Sequence, residues 1–369
     1  QSTDSTTRAR TGLLELAHGN VTTPSFMPVG TYGSVKAITQ ERLESIGYNL
    51  ILGNTYHLFI RPGIDVIKKA GGLHTFCSWN RNILTDSGGY QVFSLSDFRK
   101  LQIEGVQFSS HLDGTKYFFT PERVVDIQST FGSDILMPLD VCTSPNITYE
   151  EAQEALNITT TWAQRSKQHF HTSYKSSYGT LFGIVQGNFF KDLRAKSVED
   201  LLHIDFPGIA VGGLSVGESF STYCDILHYT ATLIPKAKPM YIMGIGTPEY
   251  ILEAVESGAD LFDCVFPTRI ARNGSVFTHK GILSLKKEIF TYDYNPIEEN
   301  CSCITCKTYS RAYLRHLIKT KEIVGPILTT EHNLHFMYTF LEEIRESIRN
   351  NAFQAYKRKF LQSYMGTSV

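Results

Sequence analysis

The chain reads as an α/β protein, an irregular (β/α)8 TIM barrel followed by a smaller C-terminal subdomain. Three observations predict this. Eight short apolar runs bounded by turn residues follow one another within the first 270 residues, helix signals fall between most of them, and beyond residue 267 the alternation stops at a cluster of cysteines. Continuous apolar runs suit strands buried on both faces of a parallel sheet. Eight strand–helix repeats over about 270 residues match the usual size of such a barrel. An open doubly wound sheet is the rival, but no glycine fingerprint follows the first run.

The runs are residues 25–30 (SFMPVG), 49–54 (NLILGN), 83–87 (ILTDS), 134–140 (DILMPLD), 180–187 (TLFGIVQG), 208–214 (GIAVGGL), 240–246 (MYIMGIG) and 260–267 (DLFDCVFP). Thr120-Pro121-Glu122 opens a helix with a cap residue, a proline at the first helical position and an early acid. Thr148 and Glu151 form a capping box ahead of a long helix. Thr247-Pro248-Glu249 repeats the first device, and Gly258 ends that helix. The third unit is irregular: near residues 92–119, Asp113-Gly114 between alternating runs predicts a β-hairpin insertion. Residues 1–270 are thus assigned to the barrel. Residues 271–369 form the second unit, with short strands within 274–291 and helices over 309–319 and 331–350.

An apolar share of 42% and a charged share of 19% over 369 residues describe a globular chain with ample core material. No apolar run approaches the roughly 20 residues of a membrane span. The chain begins Gln1-Ser2-Thr3 with no charged-then-apolar leader, so a cytoplasmic location is expected and no membrane partner. A net charge of −1 argues mildly against coating nucleic acid, yet the distribution is uneven. Residues 268–369 carry 15 Lys and Arg against 9 Asp and Glu, and residues 1–267 carry 20 against 27. That asymmetry points to an anionic partner at the C-terminal end.

Cys77, Cys142, Cys224 and Cys264 are scattered in apolar settings and are expected to be buried small hydrophobes. Cys301, Cys303 and Cys306 crowd into six residues, and His332 follows after 25 more. Three thiolates and an imidazole make a closed tetrahedral set with no open position, which favours one structural Zn2+ over a catalytic one. His335 and His316 are alternative fourth ligands by spacing.

The C-terminal ends of the runs deliver Asp86, Asp140, Gln186, Gly212-Gly213, Gly244 to Gly246 and Asp263 to one rim, where barrels of this type place their chemistry. Two glycines after Asp86 let a flat ligand approach the backbone, and Tyr90 is placed to stack on it. Asp263 interrupts an apolar strand, which is costly without a partner or a function. Two carboxylates on one rim suit acid/base work, or a nucleophile with an acid/base at a sugar anomeric carbon, and spacing does not choose between them. Arg269 and Arg272 follow the Asp263 run and suit a phosphate or a guanine edge.

The motifs NTYHL (54–58), TDSGGYQ (85–91), GIVQG (183–187), VGGLSVGE (211–218), MGIG (243–246), FDCVFPTRIARNG (262–274), CSCITC (301–306) and TEHN (330–333) occur in one order across nearly the whole chain. On these the chain resembles the tRNA-guanine transglycosylases (queuine tRNA-ribosyltransferases) of bacterial type. The resemblance implies a barrel with a zinc subdomain that exchanges guanine at the wobble position of GUN anticodons, in tRNAs for Asp, Asn, His and Tyr, for a 7-substituted 7-deazaguanine. No ATP or nucleotide cofactor is implied. Asp263 matches the nucleophile that forms a covalent ribose intermediate, and Asp86 matches the acid/base. Ser87, Gly88, Gly89, Asp140, Gln186, Gly213 and Leu214 match the base-binding groups, with Tyr90 and Met243 sandwiching the base. Gly244, Ile245, Gly246, Thr247, Pro248, Glu249 and Tyr250, with Thr268, Arg269, Ile270, Ala271 and Arg272, match the segments that hold tRNA. Cys301, Cys303, Cys306 and His332 match the metal ligands. Implied partners are a tRNA anticodon loop, a free 7-deazaguanine base and a second copy in a homodimer.

Two cues on the base oppose each other. Bacterial relatives usually carry an acid after the fourth-strand aspartate, where this chain has Val141, whereas Val216 keeps the bacterial form. Both 7-aminomethyl-7-deazaguanine and queuine therefore stand. The rival functions are a zinc-stabilised barrel hydrolase of a sugar or nucleoside and a non-catalytic tRNA-binding partner subunit. The second should lack Asp86 or Asp263, and both are present.

Overall fold

All eight apolar runs form parallel strands of one closed barrel in the computed structural model, which describes residues 2–95, 99–175 and 178–366. The strands are Ser25–Gly30, Leu50–Gly53, Asn82–Thr85, Ile135–Leu136, the pair Thr180–Leu181 and Gly183–Val185, Ile209–Val211, Met240–Ile242 and Leu261–Cys264. The fifth strand is split at Phe182. Its first half pairs with the fourth strand and its second half with the sixth. Leu261–Cys264 pairs with Ser25–Gly30 and closes the ring, setting Asp263 opposite Met27.

Met27, Val29, Leu52, Leu84, Met137, Phe182, Ile184, Ala210 and Tyr241 fill the barrel as one apolar cluster. Large and small residues alternate there for a reason. A Cβ on Gly208 would lie 2.4 Å from the Phe182 ring, so glycine lets that ring cross the break in the fifth strand. A β-ribbon of Arg10–Leu16 and Gly19–Thr23, absent from the sequence expectation, covers the N-terminal end of the barrel. Leu14, Leu16 and Val21 join the interior cluster there. Asn82, at the start of the third strand, accepts the His18 N–H at 3.1 Å and donates to Gly19 O at 2.9 Å.

The helix devices act as expected at two of three places. Thr120 and Thr148 cap Pro121–Phe131 and Tyr149–Ser173 with their side chains, the second in a full capping box. Thr247 precedes Pro248–Glu256 without a side-chain cap bond, and the helix ends one residue before Gly258, at the cap Ser257. Residues 92–95 belong to the helix Gly89–Leu95, and the insertion beyond it is a three-stranded antiparallel sheet, Arg99–Leu101, Val106–Ser109 and Lys116–Phe119.

After the barrel come the hairpin Ser275–Thr278 with Gly281–Ser284 and four helices, Ile304–Thr308, Arg311–Lys319, Val324–Arg349 and Phe353–Met365. The third begins seven residues before the expected start at 331, because Gly325-Pro326 falls in its first turn, where a proline lacks no bond the helix needs. This long helix lies against the first barrel strand and the short helix Phe266–Arg272. Asn333 on it donates to Pro267 O at 2.9 Å and accepts the Phe277 N–H at 3.0 Å. Thr329 Oγ1 donates to Ala271 O at 2.9 Å. The long helix Val324–Arg349 therefore fixes the segment that follows Asp263.

The four scattered cysteines are half-buried, not buried as expected. Each sits at the margin of the core; Cys142 and Cys264 adjoin the rim carboxylates, where packed interior gives way to the site. Among the described residues no helix is long and apolar enough to cross a membrane.

Candidate active site and metal centre

The barrel strands end in a ring of carboxylates, with Asp86 and Asp140 buried and Asp263 half-buried. Asp86 directly follows the third strand. Its Oδ2 accepts the Asn54 side-chain amide at 2.6 Å and its Oδ1 accepts the Thr55 N–H at 2.8 Å, while Thr55 Oγ1 donates to the Asp86 carbonyl at 2.6 Å. Asn54 is available because the second strand ends at Gly53 and the chain turns there into the helix Thr55–Ile60. Burial pushes the Asp86 carboxyl up to about 6, against the pull of Asn54 and Thr55 and with a further upward push from Asp263.

Asp263 lies on the last strand. Its Oδ1 accepts both the Tyr241 hydroxyl at 2.6 Å and the Gly244 N–H at 2.8 Å. Its Oδ2 has no hydrogen-bond donor among the described residues. Burial raises its carboxyl above the usual range, and the two donors oppose that rise. The Tyr241 phenol is held far above its ordinary value by burial and then by Asp263, so it remains a donor at neutral pH.

Asp140 ends the fourth unit, and both its oxygens are held: Ser87 Oγ donates to Oδ1 at 2.9 Å and Gln186 Nε2 to Oδ2 at 2.8 Å. Ser87 Oγ in turn accepts the Gly89 N–H at 3.1 Å. Burial raises the Asp140 carboxyl as well. Gly213 adopts φ +66°, and a Cβ there would lie 2.6 Å from Gln186 Oε1. The left-handed φ disfavours any side chain at that position, and a Cβ would push the Gln186 amide out of place. Gly88, at φ +78°, turns the chain from Asp86 into the helix carrying Tyr90.

The remaining expected residues divide by exposure. Tyr90 is 55% exposed, Gly244 and Arg269 are exposed, and Met243, Thr247, Glu249, Tyr250, Ile270 and Arg272 are half-buried. Leu214, Ile245, Gly246, Pro248, Thr268 and Ala271 are buried. Ala271 and Thr268 serve the backbone of the segment: Ala271 O accepts from Thr329, and Thr268 O accepts from Arg272 Nε at 3.1 Å.

Asn54, Thr55, Tyr241 and Arg194 escaped the residue-by-residue reading. Asn54 and Thr55 stood inside the NTYHL motif, and a polar pair directly after an apolar strand was the available signal. Tyr241 gave none, since an aromatic in a strand reads as core. Arg194 lies in a helix of ordinary mixed polarity.

The cysteine cluster is assembled as spacing suggested. His332 Nδ1 lies 3.8, 3.5 and 3.3 Å from the Sγ atoms of Cys301, Cys303 and Cys306. Tetrahedral ligands at metal–sulfur and metal–nitrogen lengths of about 2.3 and 2.1 Å stand roughly 3.6 Å apart. The four groups therefore fit one metal ion. His332 Nε2 donates to Phe277 O at 2.8 Å, which fixes the tautomer that presents Nδ1. His335 instead meets Ser302 Oγ at 3.0 Å, and His316 is outside the set.

His18, His74 and Asp134 also converge, at the opposite end of the barrel. The two rings are stacked at 3.9 Å with planes 20° apart, so their in-plane lone pairs share no common point. Asp134 holds them as a hydrogen-bonded clip, at 2.7 and 3.1 Å, and also accepts the Ile83 N–H.

A family model described as "Queuine tRNA-ribosyltransferase" matches residues 4–366. The chain is 54% identical over 361 residues to the queuine tRNA-ribosyltransferase of Borrelia hermsii, covering 98% of this chain and 96% of that one. It is 53% identical to that of Treponema denticola, with 98% and 95% covered. It is 51% identical to that of Caldanaerobacter subterraneus subsp. tengcongensis, with 98% and 96% covered.

Proposed function

Because the chain belongs to the queuine tRNA-ribosyltransferase family, the tRNA-guanine transglycosylases of queuosine formation, we propose that its rim carboxylates perform a double displacement at the ribose of the wobble guanosine. Asp263 is the nucleophile. The observation that carries this is its asymmetric hold: Tyr241 and Gly244 grip Oδ1 and leave Oδ2 without a donor. Oδ2 bonds to C1′ as the C1′–N9 bond breaks, its electron pair going to guanine, which takes a proton from Asp86. In the second half, N9 of the incoming base bonds to C1′, its proton passes to the Asp86 carboxylate, and Asp263 leaves as a carboxylate. One N-glycosidic bond replaces another, so no ATP is needed. A carboxyl near 6 suits a group that must give and take a proton at neutral pH.

Asp140 accepts the N–H edge of a guanine-like base. Gln186 and the backbone of Gly213 and Leu214 meet its carbonyl side, and Ser87, Gly88 and Gly89 shape the floor. Tyr90 and Met243 take the two faces of the base. The exposed Gly244 and Arg269, with their neighbours in 244–250 and 268–272, hold the tRNA around an extruded anticodon base, as chemistry on a base requires. The incoming base is a 7-substituted 7-deazaguanine; competing 7-aminomethyl-7-deazaguanine against queuine reads the preference, and equal rates exclude selectivity. Cys301, Cys303, Cys306 and His332 hold a structural Zn2+. Exposed Ile289, Tyr292, Tyr294 and Ile323 on the C-terminal unit suit a second copy of this chain. The enzyme works in the cytoplasm, where its tRNA is.

The hydrolase reading predicts turnover without tRNA, and the partner-subunit reading predicts no turnover. The deciding experiment is incorporation of labelled guanine into tRNA by wild type and Asp263→Ala. Loss in the variant supports the nucleophile assignment, and surviving incorporation overturns it.

A further inference from the structure

Arg194 is completely buried beneath the base pocket. It rises from the helix Lys191–Ile204, which follows the fifth strand. Its Nε donates to Asn188 O at 2.7 Å, one Nη donates to Gly212 O at 2.7 Å, and the other donates to Gly213 O at 3.2 Å. The acceptors are backbone carbonyls, and no carboxylate pairs with it among the described residues. Burial draws its pKa down to about 9, with Glu218 opposing that shift, so the guanidinium stays charged at neutral pH. A buried, unpaired cation is expensive, which calls for a reason beyond packing.

The Gly212–Gly213 peptide supplies one. Its carbonyl takes the short Arg194 bond, and its N–H, that of Gly213, makes no hydrogen bond to the described residues. A peptide is one conjugated unit, so a cation on its oxygen draws electron density from its nitrogen and strengthens the N–H as a donor. We propose that Arg194 is a positioning residue that polarises the Gly212–Gly213 peptide, so that the Gly213 N–H stabilises the negative charge gathering on the purine carbonyl as the glycosidic bond breaks. The inference rests on the reading that Gly213 faces that carbonyl.

A donor removed outright from such a site costs about 10²–10³ in rate, so losing only its polarisation should cost about tenfold or somewhat more. The test is guanine exchange by Arg194→Ala with millimolar ethylguanidinium or ethylurea added. These fill the same space, and only the first is charged. The expected result is a kcat reduced at least tenfold, KM changed less, and rescue by ethylguanidinium alone. Equal rescue by ethylurea, or a rise in KM with kcat intact, overturns the proposal in favour of a purely structural role. If Arg194→Ala does not fold, Arg194→Lys and Arg194→Gln replace it: lysine retaining more kcat than glutamine supports the role of charge, and equal losses oppose it. Wild type is also offered 2-amino-7-deazapurine, which lacks the carbonyl. If it is taken up as well as the carbonyl-bearing base, the reading of Gly213 itself fails. If wild type rejects it but Arg194→Ala keeps full kcat on the normal base, only the Arg194 inference fails.

Discussion

Asn54→Ala should move the acid limb of the second half-reaction's pH–rate profile upward and leave that step's alkaline plateau alone. Asn54 Nδ2 reaches Asp86 Oδ2 at 2.6 Å and stabilises the carboxylate against burial, which otherwise drives that carboxyl up. A hydrogen bond to a charged group is worth about 1.5–3 kcal/mol, and one pKa unit is about 1.4 kcal/mol. Water entering the vacated space replaces part of the bond, so the net rise is about one unit, from about 6 toward about 7. The second half-reaction needs the Asp86 carboxylate to take a proton from the incoming base. That half-reaction is therefore lost as pH falls through the Asp86 pKa, and raising that pKa brings the loss on sooner. At pH 6.5 the ionised fraction falls about threefold, and at pH 8.5 the two proteins differ little. The assay is discharge of the preformed covalent enzyme–tRNA intermediate by labelled base from pH 5 to 9. A limb that stays in place, or moves to lower pH, refutes the assignment of Asp86.

Asp86→Asn should inactivate the enzyme while raising Tm at pH 8. The folded-state pKa lies above the unfolded one, so the ionised group costs stability above about pH 6, and that cost disappears as pH falls toward 4. The stabilisation, at most about 3 kcal/mol, should shrink between pH 8 and pH 4 in a thermal scan. Gly213→Ala should raise KM for the free base at least tenfold, because its Cβ would displace Gln186 and its φ of +66° disfavours any side chain. Cys303→Ser should remove the bound metal, read by elemental analysis as the loss of one Zn2+ per chain, and lower Tm through the buried Cys303, Cys306 and His332. Tyr292→Ser with Tyr294→Ser should shift sedimentation from dimer to monomer, since both rings lie more than three-quarters exposed on the single chain.

The barrel was legible because strands buried on both faces leave continuous apolar runs, and all eight were marked that way. What the runs conceal is how the ends close. The N-terminal ribbon alternates Leu14-Glu15-Leu16 ahead of the Ala17-His18 turn, a signal that was present but lay outside the barrel repeat. The long helix begins at Val324 and not at the expected 331, with Gly325-Pro326 taken into its first turn, where proline costs no helix bond. In the site, carboxylates stand out against apolar strands, so Asp86, Asp140 and Asp263 could be found. Their supports could not. Tyr241 is an ordinary strand aromatic until its hydroxyl is seen 2.6 Å from Asp263, and Arg194 is an ordinary helix arginine until its burial is seen. Net charge hides the excess of Lys and Arg in residues 268–369, and exposed Arg269 follows the Asp263 strand directly.

The central claim is that Asp263 bonds to the ribose. The most direct measurement is mass spectrometry of the enzyme incubated with tRNA, quenched under denaturing conditions, ribonuclease-treated and digested. The account predicts a nucleotide adduct on the peptide containing Asp263, discharged by free 7-deazaguanine base and absent from Asp263→Asn. An adduct on any other residue, or turnover by Asp263→Asn at the wild-type rate, would contradict it.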